Sequence, residues 1–251
     1  MNRLRQVFAN NKAYIGYLTI GHQGLSRSLE AATALVEGGV NVLELGVPFS
    51  DPIADGPVIQ KAMHDALQRG TRLQDVIQLA SRLRQRYPEL PLILFSYYNV
   101  LLQQPGVLAD AQKAGIDGVL VVDLPYEEGG AILNQCHEHA LAPIFVVTPD
   151  TGSQRLQAID QRARGFIYYA CRKGTTGIKQ GLPDDFAQKV SQIQNDCQLP
   201  VAAGFGIASR ESARHVIQHA DGFVIGSKFV KAIDEGLDYQ ALTQLAQSVQ
   251  P

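Results

Sequence analysis

Short apolar runs alternate with stretches of helical apolar spacing along the whole chain, and this rhythm constrains the fold more than any other feature. The runs at 13–20, 40–47, 91–97, 118–123, 143–148, 165–170, 201–205 and 222–226 have strand length and are bounded by Gly, Pro, Asn or Asp. Each is followed by a helical pattern. Several are apolar at successive positions, as expected of strands covered on both faces in a parallel sheet. Eight strand–helix units in 251 residues predict an α/β chain closed into a (β/α)8 TIM barrel, an architecture typically about 250 residues long. Leu4, Val7 and Phe8 recur at helical spacing ahead of the first strand, so an extra N-terminal helix is expected to cap the barrel's bottom. No linker or low-complexity segment interrupts residues 1–251, which are expected to form one barrel domain. An open doubly wound sheet would normally carry GxGxxG after its first strand, and residues 21–24 do not supply it.

The formal net charge of −2 and pI near 6.3 leave no basic footprint, so nucleic acid is not an expected partner and a small molecule is. Cys136, Cys171 and Cys197 form no CxxC pair and leave one unmatched, against a disulfide framework or a zinc site. The first apolar run, 13–20, is too short to cross a bilayer and is followed by no small-residue cleavage site. A cytoplasmic location without membrane contact is expected. The lysines fall on helices or loops rather than projecting from strands for Schiff-base chemistry, and the six histidines fall mainly on helices without ligand spacing. Neither a metal nor an organic cofactor is called for.

In a barrel of this kind, active sites occupy the C-terminal ends of the strands and the loops that follow. The second unit reads LELGVPFSDPIADG over 43–56, placing Glu44 on an apolar strand and Asp55 on a turn rich in Pro, Asp and Gly. A carboxylate inside the barrel is desolvated and holds its proton near neutral pH, whereas a loop carboxylate nearer water stays ionised. That pair would serve as acid and base. A plainer reading stands beside it, with Glu44 ion-paired and Asp55 merely a residue at a helix N-terminus.

AAGFGIAS ends strand seven and FVIGSK ends strand eight, bringing Gly204, Gly206, Gly226 and Ser227 side by side in a closed barrel. Backbone N–H groups exposed there, with a helix N-terminus behind them, suit a phosphate; tight turns without a ligand are the alternative. Tyr17, Phe95, Tyr97, Tyr168 and Phe205 lie in or near strand ends, either as flat walls of a pocket or as packing.

LELGVPFSDPIADGP closely resembles the signature of the tryptophan synthase alpha chain family. The resemblance continues through SYYN (96–99), GVLVVDLPYEE (118–128), GTTG (174–177), GFGI (204–207) and IGS (225–227) and so covers essentially the whole chain. It implies a lyase that cleaves indole-3-glycerol phosphate to indole and glyceraldehyde 3-phosphate without an organic cofactor. By matching position, Glu44 would be the acid/base at indole C3 and the glycerol hydroxyl. Asp55 would accept the indole N–H and stabilise the indolenine cation, with Tyr168 beside the glutamate. Tyr17, Phe95 and Phe205 would hold the indole. Thr176 would close a lid onto the aspartate, and Gly177, Gly206, Gly226 and Ser227 would hold the phosphate. The resemblance also implies a pyridoxal-phosphate beta chain as partner in an alpha2beta2 complex, with Asp51, Pro52 and Asn99 at positions facing it.

Departures accompany these matches. CRKGTTG has Lys173 and Thr175 where the family usually has a small residue and valine. Tyr17 stands where phenylalanine is usual, and Thr148, Pro149 and Asp150 change the end of strand five. They bear on rate and lid closure more than on reaction type. An alternative is therefore a weakly catalytic barrel that acts mainly as an activator of the beta partner. Another phosphate-binding barrel, such as an isomerase, fits the acidic segment poorly.

Overall fold

The computed structural model describes residues 3–10, 12–171, 181–204 and 206–251. Helix α1 (Arg3–Asn10) precedes β1 (Ala13–Thr19), α2 (Leu25–Glu37), β2 (Val42–Gly46), α3 (Pro57–Gln68) and α4 (Leu73–Arg86). Then come β3 (Leu92–Ser96), α5 (Tyr98–Leu102), α6 (Val107–Lys113), β4 (Gly118–Val121), α7 (Gly130–Glu138) and β5 (Ala142–Val147). The chain continues through α8 (Ser153–Arg162), β6 (Ile167–Ala170), α9 (Phe186–Asp196), β7 (Val201–Gly204), α10 (Arg210–Ile217) and β8 (Gly222–Ile225). It ends with α11 (Ser227–Asp234) and α12 (Tyr239–Val249).

The eight strands among the described residues are all parallel and close into a barrel in sequence order, with β8 pairing back to β1. This is the TIM barrel expected from the alternation. Side chains at every second strand position point inward, and Ile15, Tyr17, Val42, Ile93, Leu120 and Tyr168 belong to the interior cluster. The other strand face meets the helices, where Leu18, Leu43, Leu45, Leu92 and Leu94 join Leu35, Val76 and Leu83 in a second core.

Helix α1 closes the N-terminal end of the barrel as expected. Leu4 is fully buried against the inner residues at that end, and Phe8 packs its ring 5.2 Å from Phe166. The helix is tied down electrostatically. Asp117, just before β4, accepts from Arg3 at 2.9 Å, from Arg84 at 2.7 Å and from the Leu92 N–H at 2.9 Å. A buried carboxylate with three donors is satisfied, and removing it would leave the Arg84 guanidinium without its anion, held only by the carbonyls of Tyr87, Pro88 and Gly115.

Strand β2 starts at Val42 rather than Val40. The Val40 N–H closes back on the Leu35 carbonyl, and the Asn41 side chain accepts from Tyr14 N–H, so both residues belong to the turn. After β3 the helical pattern splits into α5 and α6, because Pro105 stops the first helix and Gly106, at φ +83°, turns the chain before the second. Among the described residues no helix is long and apolar enough to cross a membrane.

Candidate active site

A cavity of about 1350 Å³ opens at the C-terminal end of the barrel. Glu44 and Asp55 line its floor and wall, Tyr17, Phe95 and Tyr168 face into it, and Gly206, Gly226 and Ser227 lie on its far rim.

Glu44 is held in the middle of the barrel by register, beside Tyr17 on β1 and Ile93 on β3. It is 1% exposed, and neither carboxylate oxygen has a hydrogen-bond partner. Burial pushes its pKa up to about 8, so the group is mainly protonated at pH 7. A buried acid without a partner costs stability, and such groups persist where chemistry needs them. The ion-paired reading of Glu44 is thereby removed.

Asp55 differs from its expectation. It lies on the β2–α3 turn but is only 3% exposed, because Tyr97 reaches over from the end of β3 and donates its hydroxyl to Asp55 Oδ2 at 2.7 Å. The same hydroxyl accepts the Ala54 N–H at 3.1 Å, and Phe49 stacks on the Tyr97 ring at 4.9 Å. Burial raises the Asp55 pKa to about 6, with the Tyr97 hydrogen bond opposing part of the rise. Asp55 is therefore ionised at neutral pH because it is hydrogen-bonded, not because it is wet. Pro57 opens α3 immediately beyond, so the carboxylate also sits at a helix N-terminus that favours negative charge.

The two tyrosine hydroxyls in the barrel are accommodated by glycines on neighbouring strands. A Cβ at Gly46 would lie 2.3 Å from Tyr17 Oη, and one at Gly204 would lie 2.4 Å from Tyr168 Oη. Tyr17 also finds a partner in Thr19 Oγ1 at 3.3 Å and meets Phe95 edge to face at 5.1 Å, which is how the barrel carries a hydroxyl there. Burial, then the charges of Glu44 and Asp55, hold the Tyr168 hydroxyl well above the usual phenol range; it stays a neutral donor facing both acids.

On the opposite rim Gly206 takes φ +79°, a left-handed turn that glycine adopts without strain, and Gly226 precedes the first turn of α11. Tyr97 does not line the cavity; it is fully buried behind Asp55 and acts through it. Thr176, Gly177 and Phe205, together with Lys173 and Thr175, lie outside the described residues. Thr148, at the end of β5, lines the cavity wall. Two residues in the turns at this end of the barrel were not singled out by pattern. Lys228 follows Ser227 into the cavity. His22, 4% exposed in the β1–α2 turn rather than on a helix, places Nδ1 3.1 Å from Asp65 and Nε2 3.6 Å from Asp234. The LELGVPFSDPIADG and IGS motifs pointed to this mouth, but isolated residues such as these carry no periodic signal.

Residues 4–250 match the family model described as tryptophan synthase alpha chain. A tryptophan synthase alpha chain of Coxiella burnetii is 52% identical over 252 residues, covering 100% of this chain and 98% of that protein. One from Chlamydia felis is 46% identical over 256 residues, covering 100% and 99%. Among solved structures, tryptophan synthase subunit alpha from Legionella pneumophila superposes with a TM-score of 0.90 at 33% identity, covering 99% of this chain and 97% of that one.

Proposed function

This chain belongs to the tryptophan synthase alpha chain family and is a lyase of tryptophan biosynthesis that cleaves indole-3-glycerol phosphate, and on that premise we propose that Glu44 and Asp55 divide its proton chemistry between them. The observation that carries the proposal is the pair of buried acids in one cavity with pKa values near 8 and 6. At neutral pH one holds a proton and the other a charge, which is what general acid catalysis beside cation stabilisation requires.

In the proposed sequence Glu44 gives its proton to indole C3, which turns the ring into an indolenine cation. Asp55 accepts the N–H of that ring and balances its charge in a site from which water is largely excluded. The Glu44 carboxylate then takes the proton of the glycerol hydroxyl next to the ring. As that O–H becomes a carbonyl, the bond to C3 breaks, its electron pair restores indole, and glyceraldehyde 3-phosphate leaves. The proton count closes, with Glu44 protonated at the start and at the end. Tyr168 donates beside Glu44, while Tyr17, Phe95 and Phe205 hold the ring. Gly177, Gly206, Gly226 and Ser227 hold the phosphate, and Thr176 closes over Asp55. The apolar walls, and the room for the Tyr168 hydroxyl that Gly204 leaves by having no Cβ, support the pocket and Tyr168 roles.

We further propose a pyridoxal-phosphate beta chain as partner, in an alpha2beta2 complex. Asp51, Pro52 and Asn99 are the positions that would face it, and Ile53 and Leu102 are apolar side chains 75% and 56% exposed near them. A solved relative from Mycobacterium tuberculosis is described as tryptophan synthase and superposes with a TM-score of 0.89 at 33% identity, covering 98% of this chain and 95% of that one. Ile53 lies two residues from Asp55, so docking there would bear on the same turn. Free, buried thiols at Cys136 and Cys197 suit a cytoplasmic protein.

The test is indole release from indole-3-glycerol phosphate by the purified chain, alone and with a beta chain. Turnover by the chain alone, stimulated by the partner, is expected. Turnover that survives Glu44→Gln would remove Glu44 from its role.

A further inference from the structure

Among the described residues, Lys228 is a cation lining the cavity mouth with no carboxylate paired to it. It lies on the first turn of α11, directly after Ser227, and its ammonium crosses to donate to the Ala208 carbonyl beyond β7. It therefore links the two turns that carry Gly206 and Gly226. Other described lysines nearby are paired, Lys61 with Asp234 at 2.6 Å and Lys231 with Glu235 at 3.6 Å. Among the described residues no carboxylate lies within ion-pair distance of Lys228, although Glu211, Glu235 and Asp184 line the same cavity farther off.

We propose that Lys228 is a specificity-determining residue for the substrate's phosphate, supplying the positive charge that two glycine turns and a serine hydroxyl lack. The inference rests on the lyase reading and on the phosphate position assigned above. Backbone N–H groups and a helix N-terminus offer partial charges, whereas a phosphate dianion in a half-buried rim binds more tightly with a whole charge beside it. Burial lowers the pKa of Lys228, as expected of an ammonium held only by a carbonyl, and an arriving dianion would reverse that penalty. The carbonyl contact also sets the ammonium between the two turns before substrate arrives, so little side-chain freedom is lost on binding.

The experiment compares the full-length wild type, Lys228→Met and Lys228→Arg in both directions of the reaction. In the synthetic direction the two substrates separate, since glyceraldehyde 3-phosphate carries the phosphate and indole does not. Lys228→Met is expected to raise KM for glyceraldehyde 3-phosphate about tenfold and weaken competitive inhibition by inorganic phosphate to a similar degree. KM for indole should stay within about twofold, and Lys228→Arg should restore most of the affinity, because it keeps the charge. Unchanged KM for glyceraldehyde 3-phosphate in Lys228→Met overturns the proposal. Equal rises for both substrates, not rescued by Lys228→Arg, overturn it too, because Lys228 would then only be bracing the turns. If inorganic phosphate fails to compete with indole-3-glycerol phosphate in the wild type, the phosphate assignment itself falls, and Lys228 with it.

Discussion

Replacing Glu44 with Gln should make the protein more stable and far less active at once. The folded carboxyl titrates near 8 while an unfolded one titrates near 4.5. The folded state therefore keeps a proton that the unfolded chain gives up, and stability is unpenalised below about pH 4.5 and lost as pH rises toward 8. At 1.36 kcal/mol per pKa unit the penalty is about 1 kcal/mol at pH 5, about 3 at pH 7 and about 4 at pH 8. Gln keeps the shape and leaves a buried amide about as unpartnered as the protonated acid, so the ionisation penalty alone should disappear. In a chain of this size the gain at pH 7 corresponds to a rise in Tm of roughly 6–12 °C, shrinking toward zero near pH 4.5. Scanning calorimetry of both proteins at several pH values reads the effect, and an indole assay at the same pH values should find at least a hundredfold loss. A stability difference that does not grow with pH would refute the burial-driven shift, whatever the activity.

Asp55→Asn should lower kcat/KM by roughly 10²–10³ and abolish the acid limb, near pH 6, of the wild-type pH–rate profile. Tyr97→Phe removes the hydrogen bond that opposes the Asp55 rise, so that limb should move to higher pH while activity falls by about tenfold. Gly46→Ala would place Cβ 2.3 Å from the Tyr17 hydroxyl; about 1–3 kcal/mol of stability and a measurable share of turnover should be lost together, read by denaturant melts and the indole assay. Asp117→Ala breaks a buried network at the other end of the barrel and should cost about 3–5 kcal/mol in urea unfolding while leaving KM unchanged.

The barrel was legible because its signal repeats: each strand is short and apolar and each crossover is helical, so an error at one boundary leaves the count intact. Glu44 was legible as a charge in an apolar run. Asp55 was legible as a position but not as an environment, since the side chain that buries it, Tyr97, is 42 residues away and reads in sequence only as one more aromatic at a strand end. Lys228 was visible in FVIGSK but carries no period, and its significance depends on the Ala208 carbonyl meeting it from another turn. His22 was hidden for the same reason, as Asp65 and Asp234 come from α3 and α11.

The protonation state of Glu44 is best observed directly, by infrared difference spectroscopy of the wild type against Glu44→Gln across the pH range. A carbonyl stretch of a protonated, weakly hydrogen-bonded carboxylic acid should be present at pH 7 and fade as pH passes about 8. A carboxylate signature already complete at pH 6 would mean that no proton is held in the barrel for indole C3 to receive.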